Sequence, residues 1–162
     1  MKRLLLLLSL LVSGSFGSVS YAQKIAAKPA RDVDSLIKDI ADNKNAKDYA
    51  EFLSLLPNLR LFLPLVGPLP EGFTRGQKIT VQDGMEIKAR TVSVQSLELI
   101  LVFTSATNSK LGADYAEIEG REALQMVIKS RAIDGLLVQS SSTAWVAVER
   151  DKISDVLSTL PK

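Results

Sequence analysis

The chain has 162 residues, and its 20 basic and 18 acidic side chains leave a formal charge of only +2 at neutral pH. Cysteine and histidine are both absent, which excludes disulfides, zinc sites built on those residues, cysteine nucleophiles and Ser-His-Asp triads. Basic and acidic residues are interleaved along the sequence, and this distribution argues against nucleic-acid binding and against a polybasic membrane anchor.

Residues 1–22 have the pattern of an export signal. A basic start precedes an apolar stretch over residues 4–12, and about nine apolar residues are too few for a helix that spans a membrane. Small side chains at Ser20 and Ala22 predict cleavage after Ala22. We therefore expect a periplasmic or secreted protein with no stable membrane anchor after cleavage. In it, residues 23–31 form a flexible leader and residues 32–162 form a single domain.

Two helices are predicted at the start of that domain. From Asp32 onward, apolar residues recur at the spacing of one helix face, and either Asp32 or Asp34 is suited to cap this helix. The apolar face consists of Val33, Leu36, Ile37, Ile40 and Ala41. After a break at residues 43–45, a second helix runs to the residue before Pro57. Its inner face consists of Tyr49, Phe52, Leu53 and Leu56.

A series of strands is predicted next. Residues 59–63 form the first strand, which Pro64 ends because proline lacks the N–H that a sheet ladder needs. An irregular stretch follows over residues 66–78, and two strands at 79–81 and 85–90 then flank an Asp-Gly pair that favours a tight hairpin turn. The unbroken apolar run at residues 99–103 is typical of a central strand covered on both faces.

Helices and strands are both predicted in the last third of the chain. Residues 121–130 have helical spacing, and strands follow at 135–138 and 143–148. The inner face of that helix consists of Ala123, Leu124, Val127 and Ile128. A closing helix begins at about Asp151. Its inner face consists of Ile153, Val156, Leu157 and Leu160.

These elements predict one α/β (α+β) domain in which a mixed sheet of about five or six strands is flanked by helices. The segment that joins the strands at 99–103 and 135–138 is long enough for a right-handed crossover between parallel strands. We therefore expect the carboxyl ends of these two strands to lie at the same edge of the sheet.

Three motifs resemble those of the SseB-type domain family, which is named for a bacterial serine-sensitivity phenotype. They are YAEFLSLL at 49–56, LVFTS at 101–105 and IDGLLV at 133–138. The chain differs from the family at residues 139–141, where Gln-Ser-Ser stands in place of Asn-Pro-Gly. The resemblance covers nearly all of the mature chain and implies an α/β domain without an established enzymatic role. It supplies no catalytic residues.

A polar edge is predicted where the strands at 99–103 and 135–138 end. Open α/β sheets tend to bind ligands at such carboxyl edges, and hydroxyl and amide groups can bind a polar ligand without using charge. The predicted binding residues are Thr104, Ser105, Thr107, Gln139, Ser140 and Ser141. The alternative is that these residues form strand-end turns whose hydroxyls bond the local backbone.

Two further features have a structural and a functional interpretation. Ser35 and Lys38 match the Ser-x-x-Lys pattern of penicillin-recognising enzymes, but the accompanying Ser-Asp-Asn and Lys-Thr-Gly patterns do not follow, which favours ordinary helix positions. Trp145 is the single tryptophan of the chain. Packing against the core is the favoured interpretation of its indole, and a platform for a ligand is the alternative.

Two classes of function are consistent with these features. The favoured class is an exported, non-catalytic binding or protein-interaction module whose partner is a cell-envelope protein or a small polar ligand. The alternative is a small extracytoplasmic hydrolase that uses Ser and Lys or a carboxylate pair. We expect no cofactor and no metal site, and the sequence favours a protein that is not an enzyme.

Overall fold

The structure, a computed structural model, describes residues 32–67, 79–80 and 88–161, with residues 79–80 described by their backbone alone. The predicted export signal, the leader, most of the stretch at 66–78 and the predicted turn at Asp83 and Gly84 lie outside these ranges. The described residues belong to one compact unit, Arg31–Lys162. No helix in the described ranges combines the length and the hydropathy needed to cross a membrane.

Four α-helices and seven strands make up the described part of the chain. The helices are α1 (Val33–Asn43), α2 (Ala46–Leu55), α3 (Gly120–Lys129) and α4 (Arg150–Thr159), and a 3-10 turn at Leu56–Asn58 follows α2. The strands are β1 (Arg60–Pro64), β2 (Ile79–Thr80), β3 (Thr91–Val94), β4 (Leu97–Phe103), β5 (Tyr115–Glu119), β6 (Gly135–Gln139) and β7 (Trp145–Glu149). This set confirms the predicted α+β domain.

The two N-terminal helices begin and end where local side chains satisfy their free backbone groups. The Asp32 carboxylate accepts a hydrogen bond from the N–H of Ser35 at 3.3 Å, so Asp32 is the cap of α1. Lys44 ends α1 in the left-handed conformation, with φ at 48°, and Asn45 caps α2. The predicted inner face of α1 is correct except for Ala41, which is exposed because a surface helix buries only a narrow stripe.

The strands form one mixed sheet in the order β2-β5-β1-β4-β6-β7, with β3 paired to β4 beside β1. Strands β4 and β6 are parallel neighbours, in a register that pairs Leu99 with Gly135 and Phe103 with Gln139. Strand β5 and helix α3 make the connection between them. The predicted parallel crossover is therefore confirmed. Strand β1 is shifted by one residue from the prediction, since it includes Pro64, which pairs with Tyr115.

Two strands were not predicted. Strand β5 is short and buries only Ala116 and Ile118, so its alternating pattern is too brief to stand out in the sequence. Strand β3 joins β4 through Gln95 and Ser96, both of which have positive φ angles of 50° and 70°. Neither residue type is typical of such a turn, which usually carries Asn, Asp or Gly. The hairpin therefore gives no clear turn signal in the sequence.

The helices pack against one face of the sheet. The larger hydrophobic cluster contains the buried residues of all four helices together with Ile100 and Val102 of β4. A second cluster lies on the opposite face and contains no helix residue. It is built around Leu99, Leu101 and Phe103, the alternate residues of the same strand. Residues 99–103 are all buried, as predicted for a central strand, but the two sides are covered differently.

The inner faces of the last two helices are mostly as predicted. Ala123, Leu124 and Val127 of α3 are buried, and Ile153 of α4 is buried. The expectation for Ile128 is wrong, because its side chain is 40% exposed at the last turn of α3. There, the Arg150 guanidinium donates hydrogen bonds to the carbonyl oxygens of Ile128, Ser130 and Ile133, and it thereby holds the end of α3 against the start of β6.

Candidate functional site

The parallel pairing of β4 and β6 brings the predicted polar edge together. The N–H of Thr104 donates to the carbonyl oxygen of Gln139 at 3.0 Å, which joins the ends of the two strands directly. The segment after β4 also reaches the segment after β6, since the Asn108 amide donates to the carbonyl oxygen of Ser140 at 2.9 Å. The predicted site residues are therefore neighbours in the fold.

Most hydroxyl groups of this edge bond other parts of the protein. The Ser140 side chain is fully buried, and its hydroxyl lies 2.7 Å from the Ser142 hydroxyl and donates to the carbonyl oxygen of Ala144 at 3.1 Å. The hydroxyls of Ser105 and Thr107 lie 2.8 Å apart and bond each other. A binding edge requires partly exposed side chains at Gln139 and Ser140, but both side chains are buried.

Asp34 of α1 bonds both segments of the polar edge. Its carboxylate accepts a hydrogen bond from the Thr104 hydroxyl at 2.5 Å and another from the N–H of Ser141 at 3.1 Å. One side chain thus links the first helix to the ends of β4 and β6, and we call this arrangement the Asp34 clamp. In the sequence Asp34 is a candidate helix cap, a role that Asp32 fills instead.

The Asp34 clamp leads to a prediction on stability. We expect Asp34→Ala to lower the free energy of unfolding by about 1–3 kcal/mol, because it leaves a partly buried hydroxyl and a backbone N–H without their charged acceptor. Denaturant unfolding would measure the loss. Asp42→Ala is the matched control, since Asp42 pairs with Lys38 on the exposed surface and should cost no more than about 0.5 kcal/mol. Equal losses in the two variants would show that the clamp does not stabilise the fold.

A groove of about 540 Å³ lies on the face of the sheet that the helices leave uncovered. Its floor is aliphatic and comes from strands β3, β4 and β6. The floor residues are Val92, Val94, Leu101 and Leu137. Volumes of this size are typical of small-molecule sites, which combine an apolar lining with a few polar groups. We call this feature the sheet groove.

The rim of the sheet groove is polar and aromatic. Its residues are Arg90, Lys110, Gln139 and Trp145. Trp145 is 46% exposed, the largest exposure of any big apolar side chain described in the structure. The indole is therefore not a buried core side chain, and of the favoured interpretation only partial covering of the sheet fits it. The strand alternation of β7 places Val146 and Val148 in the core and turns the indole to the opposite face.

Gln139 is the one predicted site residue that lines the sheet groove. Its side chain is only 7% exposed, yet neither atom of its amide is a buried group without a hydrogen-bond partner. Gln139 thus adds a polar side chain, which can both donate and accept hydrogen bonds, to the wall of an apolar groove.

The Ser35 and Lys38 pair does not form a catalytic unit. The Ser35 hydroxyl bonds the Asp32 carboxylate at 3.4 Å, whereas the Lys38 ammonium bonds the Asp42 carboxylate at 2.5 Å. The hydrogen bond and charge of Asp42 raise the pKa of Lys38 above its ordinary value, so the amine stays protonated and cannot take a proton from Ser35. Within the described ranges, no group of three or more acidic side chains is arranged to hold a metal ion.

Comparisons with protein-family models, with curated proteins and with solved structures find no match for this chain. The resemblance to the SseB-type family therefore stays a prediction that rests on the three sequence motifs.

Proposed function

We propose that this chain is an exported, non-catalytic binding module and that the sheet groove is its recognition surface. The observation that carries the proposal is the exposed Trp145 indole beside Gln139, over an aliphatic floor. Exposed apolar surface of this kind on a folded domain is typical of binding sites, and aromatic side chains are common anchors in them. The SseB-type resemblance supports the proposal because it implies a domain without established catalysis.

The hydrolase alternative has weaker support. A serine hydrolase needs a base within hydrogen-bond reach of its nucleophile. In the described part of the chain, the serine hydroxyls at the polar edge bond other hydroxyls or backbone carbonyls, and Ser35 bonds an aspartate that also caps a helix. These arrangements are typical of turns and helix caps. The polar edge therefore serves in our proposal to position Gln139 rather than to perform chemistry.

The test of this function uses protein made with its own N-terminus and recovered from the cell envelope. We expect intact mass to show the loss of residues 1–22, which would establish export. Native mass spectrometry should then detect a bound species on the wild-type protein, and Trp145→Ala should retain about a tenth of it or less. Ile128→Ala is the matched control, because Ile128 is similarly exposed but lies on the helical layer.

Two results would contradict the proposal. Retention of residues 1–22 would remove the export assignment. A bound species that Trp145→Ala keeps in full, or that both variants lose equally, would show that recognition takes place elsewhere on the protein.

A further inference from the structure

We propose that the sheet groove binds small anionic amphiphiles, with the apolar body on its aliphatic floor and the anionic group between Arg90 and Lys110. This inference rests on the proposed function and specifies the class of ligand. It is carried by two features of the described residues, the dimensions of the groove and the sign of its rim charges, and Gln139 adds a polar side chain at the wall.

The sheet register fixes the width of the groove. The N–H of Leu101 donates to the carbonyl oxygen of Arg90, Leu101 pairs with Leu137, and Leu137 pairs with Ala147 of β7. Arg90, on one side of the groove, therefore lies about 14 Å from the β7 side, which is three strand spacings of about 4.8 Å each. Trp145 lies on that β7 side, next to Gln139 in the register.

The charges at the rim have one sign. Among the described lining residues, Arg90 and Lys110 are the charged ones, and neither forms an ion pair with another described residue. Glu149 lies on the same face of β7 but does not line the groove. Two cations beside an apolar floor, with no acidic side chain among the described lining residues, favour a ligand that carries a negative charge. Both cations are exposed, so each contributes modestly and its contribution is screened by salt.

Gln139 adds a side chain that can hydrogen-bond a polar ligand atom at the wall. A carboxylate, sulfate or phosphate group attached to an apolar chain supplies both a negative charge for the two cations and acceptors for their N–H groups and the amide. A second copy of this chain fits less well, because a two-fold interface sets the same patch against itself and would bring the cationic rims of two copies together. An acidic peptide is the remaining class of ligand, and a displacement titration distinguishes it.

The chain's single tryptophan makes the experiment direct, since Trp145 fluorescence reports on the groove itself. Purified protein, processed as the cell processes it, is titrated with decanoate, decanol and decyltrimethylammonium below their aggregation limits. We expect a saturable change with decanoate, with affinity about tenfold higher than for the cationic probe and lower at high salt. Arg90→Gln and Lys110→Gln should each weaken decanoate binding about two- to fivefold. Lys129→Gln, on the helical layer, should leave it unchanged.

Gln139→Leu tests the contribution of the amide to binding separately from that of Arg90 and Lys110. It keeps the side-chain volume close to the original, so we expect decanoate binding to weaken more than decanol binding, because a charged acceptor makes the stronger hydrogen bond to the amide. Equal affinity for all three probes would overturn the inference that the ligand is anionic, but it would still show that the groove binds apolar chains. The absence of any saturable change, together with a bound species in the native mass spectrum, would overturn the inference but not the proposed function. Displacement of decanoate by a lower concentration of an acidic apolar peptide would assign the groove to a protein partner and also overturn the inference.

Discussion

Gly120→Ala is expected to lower the free energy of unfolding by at least about 3 kcal/mol. In an unobstructed helix this substitution would be favourable, because alanine has the higher helix propensity. Here a Cβ atom at Gly120 would lie 1.7 Å from the carbonyl oxygen of Leu56 and 2.8 Å from its carbonyl carbon. Both are backbone atoms of the 3-10 turn and cannot rotate away, so either the turn or the start of α3 must move.

Gly112→Ala is the matched control for this prediction. Nothing lies within 4 Å of a Cβ atom there, but φ is +86°, so the substitution costs only the backbone strain of about 1 kcal/mol. Denaturant unfolding of both variants would measure the difference. A loss at Gly120 no larger than the loss at Gly112 would show that the contact between α3 and the 3-10 turn is not close-packed in solution.

Phe103→Ala is expected to lower the free energy of unfolding by about 3–5 kcal/mol, the usual loss when a buried aromatic side chain is removed. Phe103 is fully buried, it pairs with Phe62 of β1 and with Gln139 of β6, and it packs with Leu111 on the face without helices. Its removal therefore affects the junction of three strands. None of the four described helices lies on that side to fill the space, which limits how far the site can collapse.

Trp145→Ala is the control for Phe103→Ala, since it removes a larger aromatic ring that is half exposed. We expect its loss to stay within about 1 kcal/mol, because exposed substitutions disturb few packed neighbours. A loss at Phe103 below about 1 kcal/mol, or one equal to the loss at Trp145, would mean that the second hydrophobic cluster does not stabilise the sheet.

The spacing of apolar residues along the sequence made parts of the fold predictable. Leu36, Ile37 and Ile40 mark α1 because their spacing matches only a helix, and the run 99–103 marks β4 because five successive apolar residues must be buried on both sides. The length of the segment between Phe103 and Gly135 then predicts the crossover. Strand β3 was missed because its turn, at Gln95 and Ser96, lacks the residues that usually adopt positive φ angles.

The candidate site was less predictable, since it depends on which layer covers each face. The residues of the β4 run do not reveal that helices cover Ile100 and Val102 while Leu101 lines an open groove. In β7, Trp145 alternates with the core residues Val146 and Val148. This alternation places the indole and the valines on opposite faces of the sheet, but it does not show which face is exposed to solvent. Arg90 and Lys110 come from separate segments and line the same groove only in the folded protein. Gln139 was predicted from its position at a strand end, although for a different surface.

The Asp34 clamp has a consequence for the order in which the chain folds. Its two hydrogen bonds connect residues that are 70 and 107 positions apart in the sequence. Such distant contacts carry a large loop-closure entropy and tend to form late, after local helices and hairpins. Although α1 precedes these strands in the sequence, Asp34 can make its two bonds only once the segments that carry Thr104 and Ser141 are in place. We therefore expect the docking of α1 to be a late step of folding.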